Sequence, residues 1–239
     1  MTRPSIRHRL EFAVSKVCEE VKALVSTAYW RQRQESDLWY ELVACTLGSQ
    51  VRHEHSLAAV RFLDTNGLLD ITRMRQDGEG FERKIAQALS QPICPSRAKL
   101  SGARYRFPHS KAKQIRRTAE AFYSRGPSIG EILQCSKTEK EARSKIMSNA
   151  VGIGPKQASL FLRNIGYTDS LAILDTHVLK YMELVGVFSP VERAWCSLAE
   201  YEHFEGRLQT YAERFHEKLA YLDTAIWVVM RVFKWRVAS

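Results

Sequence analysis

The chain is 239 residues long, 45% apolar and 26% charged, enough to bury a substantial core in one domain or two closely packed lobes, and no disordered tail is expected. Its 36 Lys and Arg against 26 Asp and Glu leave a net charge of +10, a balance that favours an anionic partner because each cation neutralising a phosphate releases condensed counterions. Nucleic acid is the leading partner on that ground, whereas a membrane surface would call for a basic amphipathic helix or a lipidation signal, and neither stands out.

The N-terminal text MTRPSIRHRLEFAVSKV carries charges throughout the region where a secretory segment is apolar. No later stretch approaches about 18 uninterrupted apolar residues, so a soluble, cytoplasmic protein is expected. Ile6, Leu10, Val14, Val17, Val21 and Leu24 recur at helical steps and predict a first amphipathic helix. After the polar connection AYWRQRQESD, Ser36 or Asp37 is placed to cap a second helix through Leu38, Leu42, Cys45 and Leu47, which ends at Gly48, Ser49 and Gln50. A third helix is predicted from about Ser56 through Val60 and Leu63 to Asn66 and Gly67, where glycine can take the left-handed conformation that ends a helix. Phe81 to Leu89 reads as a further short helix.

Pro92, Pro95 and Pro108 mark an irregular connection, and the strongest charge signal lies in it and the helix that follows. Arg97, Lys99, Arg104, Arg106, Lys111, Lys113, Arg116 and Arg117 occur with no acid among them and with Tyr105 and Phe107 interleaved. Such a run is either a solvated face or a phosphate contact, and without compensating acids phosphate contact is favoured, with Arg104, Lys111 and Lys113 as candidates. Ser136 and Glu139 have capping-box spacing before a helix through Ala142 and Ile146. A helix after Asp175 carries Val178, Tyr181 and Met182 and is ended by Gly186. One last long helix is read from Leu208, Tyr211, Phe215, Leu219, Leu222, Ile226, Val229 and Phe233. Nothing alternates at period two for long, so the fold class is all-α.

The five cysteines are scattered and never form a CxxC pair, which reads as reduced thiols and argues against zinc or a four-cysteine iron–sulfur cluster. His53 and His55 stand two apart and point to different sides of a helix, so no metal site is expected there. No cofactor is expected.

The stretch NAVGIGPKQASLFLRNIGYTDSLAILD, from Asn149 to Asp175, concentrates the chemistry. A Gly152-Ile153-Gly154 turn between two helices exposes main-chain N–H groups at a helix N-terminus, where an anion is favoured. Glycine suits it because a side chain would hold a sugar-phosphate backbone away and because the turn calls for positive φ. Lys156 falls in the first turn of the second helix, where a cation opposes the macrodipole. It is either a phosphate-binding surface lysine or a nucleophile, its amine freed by the dipole, neighbouring cations and partial burial. Asp175 is an ordinary N-cap or, with one oxygen capping, a carboxylate whose other oxygen faces a developing sugar cation.

The pattern Gly152-Ile-Gly-x-Lys156, with Asp175 nineteen residues after the lysine, resembles the helix-hairpin-helix superfamily of DNA glycosylases. VGIGPKQASLFLRNIGY and LAILDTHVL are similar to the archaeal-type, second class of 8-oxoguanine DNA glycosylase/AP lyases, as are LWYELVACTLGSQ and RYRFPHSKAKQI. The likeness covers most of residues 38–235 and is strongest over 151–180. It implies a two-lobed all-α fold with the active site in the interlobe cleft, divided as residues 1–35 (a helix packing with the C-terminal lobe), 36–167 (the lobe ending in the hairpin) and 168–239 (the C-terminal lobe). It also implies a monomer without an obligate protein partner, acting on double-stranded DNA with a modified base and associated with the nucleoid when bound. By that resemblance Lys156 attacks C1′ of a flipped nucleotide and forms a Schiff base that leads to β-elimination, while Asp175 stabilises the charge on the sugar. Gln50 is the candidate for the orphaned base, or else a surface glutamine. His177 either touches a phosphate or packs.

The chain departs from the family where it has Thr176 in place of a basic residue and Leu160 in place of a histidine. Asp223 and Trp227 fit the late Asp-x-x-x-Trp pattern of the base pocket, but VVMRVFKWRVAS replaces a short tail ending in lysine. Trp227, Phe233 and Trp235 either stack on the base or belong to the core. Three functions follow: excision of a damaged or modified base, with 8-oxoguanine the default; the same chemistry on a hypermodified base of phage DNA as a defence enzyme; or a non-catalytic hairpin that binds DNA.

Overall fold

The computed structural model describes residues 5–24, 29–93, 104–189 and 197–237, with all of their side chains but those of 24 and 234–237. The described residues form the helices α1 (Ile6–Leu24), α2 (Glu35–Leu47), α3 (His53–Thr65), α4 (Ile71–Gln76), α5 (Gly78–Leu89), α6 (Pro108–Tyr123), α7 (Ile129–Gln134), α8 (Glu139–Asn149), α9 (Pro155–Asn164), α10 (Thr176–Leu184), α11 (Leu198–Glu213) and α12 (Leu219–Val237). Among them there is no strand, only an antiparallel bridge between Pro92 and Arg104, and the fold is all-α. No described helix is long and apolar enough to cross a membrane.

The chain divides into two compact units: a terminal unit of Met1–Ala28 with Gly166–Ser239, and a hairpin unit of Tyr29–Ile165. In the terminal unit α1 packs along α12, and α10 packs against α12 as well. Leu10, Val14 and Cys18 of α1 meet Tyr181 and Met182 of α10, Tyr201 and Leu208 of α11, and Leu222 and Ile226 of α12 in one apolar cluster. Burial pushes the Cys18 thiol up to about 12, with the nearby Glu217 adding to the effect, so Cys18 is a packing residue and not a nucleophile.

The single long C-terminal helix expected from the sequence is two helices. α11 ends at Glu213, His216 adopts a left-handed φ of 53°, and α12 restarts at Leu219. The three- and four-residue spacing of Tyr211, Phe215 and Leu219 persists across the break because all three pack on the same core, so periodicity alone misses it. Lys218 secures the restart through a 2.5 Å ion pair with Asp169, whose main-chain oxygen also accepts from Ala220 N–H.

In the hairpin unit, α5 lies along α6, while α2 packs against α3, α6, α7 and α9. Several helix starts differ from expectation. The second helix begins at Glu35 with Gln34 as N-cap, and Asp37 accepts the Gln34 N–H at 3.0 Å in place of capping itself. α8 is capped by Thr138, whose hydroxyl accepts from Glu141 N–H, and Ser136 instead donates to Ile132 O at the end of α7. Ser128 and Glu131 form a capping box for α7, a helix the sequence reading left unassigned along with α4. The expected terminators do act as such: Gly67 and Gly186 have φ of 64° and 75°.

One buried pair ties the end of α2 to the basic segment. Tyr105 Oη donates to Leu47 O at 2.5 Å, and the buried ring of His55 stands edge-on to Tyr105 at 5.8 Å, its Nε2 without a hydrogen bond among the described residues. Burial holds the His55 pKa below its ordinary 6.5. The fold therefore favours the neutral ring: this stabilisation is complete above about pH 6.5 and is lost as pH falls through the folded-state pKa. Denaturant melts at pH 7.5 and pH 5 should show a larger acid loss for wild type than for His55→Phe, and equal losses would contradict this reading.

Candidate active site

The turn between α8 and α9 is held from beneath by α6. Val151 N–H donates to Thr118 Oγ1 at 2.9 Å, and Ile153 N–H returns to Ala150 O at 3.3 Å. Gly152 has a φ of 78°, and a Cβ there would lie 2.5 Å from the Gln114 side chain, so glycine is required twice over. Gly152→Ala should cost about 1–3 kcal/mol of stability, read as a lower denaturation midpoint at unchanged slope. Gly154 differs from expectation: its φ of −94° and ψ of 179° are open to any residue, and a Cβ would meet only Gln157 Oε1 at 3.6 Å. The missing side chain there leaves room for something outside the protein to approach.

The N-terminus of α9 is open. Gly154 provides no side-chain cap, Pro155 has no N–H, and the N–H groups of Gly154, Lys156 and Gln157 have no acceptor among the described residues. Ile153, expected to contact phosphate, instead buries its side chain, and its N–H is used within the turn. It anchors the turn.

Lys156 is half-buried on the first turn of α9, and its Nζ makes no hydrogen bond or ion pair among the described residues. Behind it, Cys45 of α2 is buried and donates to Glu41 Oε1 at 3.7 Å, an oxygen that also takes Asn164 Nδ2 at 2.8 Å. Burial and the Glu41 charge raise the Cys45 thiol well above its ordinary range, and the Lys156 charge opposes them. The lysine thus sits near a thiol and a carboxylate without pairing to either.

Asp175, in the terminal unit, caps α10 with one oxygen. Oδ1 accepts from His177 N–H and Val178 N–H, both at 2.8 Å, and Oδ2 has no partner among the described residues. Capping and presenting a free oxygen are therefore compatible here. The His177 imidazole is half-buried and makes no hydrogen bond among the described residues, which leaves it available to a ligand.

The basic segment is less uniform than its sequence. Arg104, Arg106, Lys113 and Arg117 are exposed and have no carboxylate partner among the described residues, while Arg97 and Lys99 lie outside them. Lys111, expected among the phosphate contacts, is instead 5% exposed, and burial lowers its pKa because its aliphatic stem packs inside the unit. Arg116 is matched by Glu82 and Glu120, carboxylates that come from α5 and from the next turn of α6. Gln50 is exposed in a left-handed conformation (φ 61°), an outlier for a non-glycine residue of the kind held at binding sites.

In the expected base pocket, Asp223 is 2% exposed and accepts Ile173 N–H at 2.8 Å, so one carboxylate oxygen is committed to the main chain. Trp227 is half-buried with the Arg231 guanidinium 4.6 Å from its ring centroid. Phe233 packs against the terminal unit's own core, which accounts for it as a packing residue, and the side chain of Trp235 lies outside the described residues. Sequence reading missed Gln114 and Thr118, a polar pair four apart within the apolar stripe of α6. It also missed Glu41 and Cys45, which carry no local signal.

A family model described as 8-oxoguanine DNA glycosylase matches residues 20–217. The chain belongs to that family. An 8-oxoguanine DNA glycosylase/AP lyase of Thermotoga sp. strain RQ2 is 28% identical over 225 residues, covering 91% of this chain and 94% of the relative. The crystal structure of the Thermotoga maritima 8-oxoguanine DNA glycosylase superposes with a TM-score of 0.60 at 26% identity, over 93% of this chain and 90% of that one. The Methanocaldococcus jannaschii 8-oxoguanine DNA glycosylase shares the fold with a TM-score of 0.66 at 24% identity, over 92% of this chain and 94% of that one.

Proposed function

We propose that this protein is a bifunctional DNA glycosylase/AP lyase that removes 8-oxoguanine from double-stranded DNA through Lys156. The observation that carries this reading is Lys156 Nζ, without a partner among the described residues, beside an uncapped helix N-terminus and a glycine turn. Phosphate would take the open N–H groups of Gly154, Lys156 and Gln157, with Arg104 and Lys113 adding charge.

The neutral amine of Lys156 attacks C1′ of the extruded nucleotide as the glycosidic C–N bond breaks, and the departing base takes up a proton. Oδ2 of Asp175 stabilises the positive charge that develops on the sugar. The C1′–O4′ bond then breaks, O4′ takes up a proton and an iminium forms between Nζ and C1′; loss of a C2′ proton breaks the C3′–O bond and expels the 3′ phosphate. Gln50 occupies the space left in the duplex. The protein acts as a monomer and needs no metal or cofactor for these steps.

A second target, a hypermodified base of phage DNA, rests on the C-terminal text VVMRVFKWRVAS, which stands where the family has a short tail ending in lysine. Incubation with duplexes carrying 8-oxoguanine or a glucosylated cytosine, followed by chromatography of released bases, separates the two. Release of 8-oxoguanine supports the first target and release of only the glucosylated base supports the second. Binding without release from any duplex would leave a DNA-binding module and overturn the enzymatic reading.

The turn has its own test. Gly154→Ala should leave stability within about 1 kcal/mol, because its backbone is unstrained, yet weaken duplex binding about tenfold by crowding the phosphate. Fluorescence anisotropy checks this, and unchanged affinity would contradict the phosphate site.

A further inference from the structure

The connection that delivers the chain to Asp175 has no regular secondary structure, yet each N–H group from Ala172 to Asp175 is engaged. Ala172 N–H donates to Glu205 Oε1 and Ile173 N–H to Asp223 Oδ2, both at 2.8 Å. Leu174 N–H reaches Tyr201 Oη at 3.2 Å, and Asp175 N–H closes on Ile173 O at 2.9 Å. Tyr201 Oη donates in turn to Ala172 O at 2.8 Å. Tyr201 and Glu205 stand one turn apart on α11 and are 0% and 4% exposed.

A buried carboxylate is a costly acceptor for a main-chain N–H, since a neutral oxygen would serve without taking a charge out of water. A carboxylate oxygen is a strong acceptor, and here one of them meets the Ala172 N–H, three residues before Asp175. What it secures is direction. Asp175 leaves this clamped segment with Oδ1 fixed by the α10 N–H groups, so its free Oδ2 has little freedom of its own.

We propose that Glu205, together with Tyr201, is a positioning residue that holds residues 172–174 so that Oδ2 of Asp175 keeps the orientation needed to face the sugar cation. This rests on the role given to Asp175 under Proposed function. Glu205 does not touch DNA. Its effect passes through the Ala172 N–H, and small misplacements of a catalytic group can cost large factors in rate.

The test uses the full chain, an 8-oxoguanine duplex, single-turnover base release, and duplex affinity by anisotropy. Glu205→Ala should slow release by about 10- to 100-fold with affinity changed less than about twofold. Glu205→Gln, which keeps an accepting oxygen, should recover to within about threefold of wild type. In an Asp175→Asn background Glu205→Ala should add less than about a further twofold, because residues acting as a unit are non-additive. Full additivity in that background, or an unchanged rate for Glu205→Ala where Asp175→Asn alone is slow, overturns the proposal. Should Glu205→Ala not fold, Tyr201→Phe carries the same comparison: slower in wild type and silent in Asp175→Asn supports it, and equal effects in both overturn it. Equal rates for wild type and Asp175→Asn would remove the role of Asp175 itself, and this inference with it.

Discussion

Asp175→Asn is expected to slow base release by about 10²- to 10³-fold, the loss typical when one preorganised electrostatic group is removed from a transition state. The fold should hardly notice. Asparagine caps a helix about as well as aspartate, and its side-chain oxygen can still accept from His177 N–H and Val178 N–H. What disappears is the negative charge on the second oxygen. Asp175→Ala should lose the cap as well, at about 1 kcal/mol, so the pair of variants separates capping from chemistry. Single-turnover kinetics beside thermal melts checks both, and an asparagine variant as fast as wild type would reduce Asp175 to a cap.

The second large effect falls on stability. Glu35→Ala should destabilise the hairpin unit by about 3–5 kcal/mol, because hydrogen bonds to a charged group contribute about 1.5–3 kcal/mol each and water replaces only part of them. Glu35 Oε1 accepts from Tyr123 Oη at 2.9 Å and from Ile129 N–H at 2.8 Å, and Oε2 accepts from Gly130 N–H at 3.0 Å. One carboxylate at the start of α2 thus joins α6 and the N-terminus of α7. Burial, and then the Glu35 charge, raise the Tyr123 phenol far above its ordinary range, so Tyr123 remains the donor throughout the working pH range. Urea denaturation should show a lower midpoint at unchanged slope. A shift below about 1 kcal/mol would mean that water replaces all three bonds.

Local rules account for what was legible in the sequence. Helical periodicity located α1, α2, α3 and α10, because each buries one stripe on one core, and Gly67 and Gly186 end helices as glycine should. The Gly152–Lys156 turn and the Asp175 cap were readable because each depends on residues only a few positions away. Distant partners account for the misses. Nothing near Lys111 in sequence says that its stem is buried, and nothing near Arg116 announces Glu82, which arrives from α5. The break at His216 is hidden for a related reason: both flanking helices serve one core, so the apolar spacing runs on through a left-handed residue that is not glycine. Glu205 carries no motif, and its bond to the Ala172 N–H appears only when α11 is laid beside residues 172–174.

The most direct test of the account is borohydride trapping. Wild-type protein mixed with an 8-oxoguanine duplex and sodium borohydride should give a covalent protein–DNA adduct, and peptide mass spectrometry should place the reduced linkage on Lys156. Lys156→Gln should give none while still binding the duplex. An adduct mapped to another residue, or trapping that persists in Lys156→Gln, would contradict the assignment of Lys156 as the nucleophile.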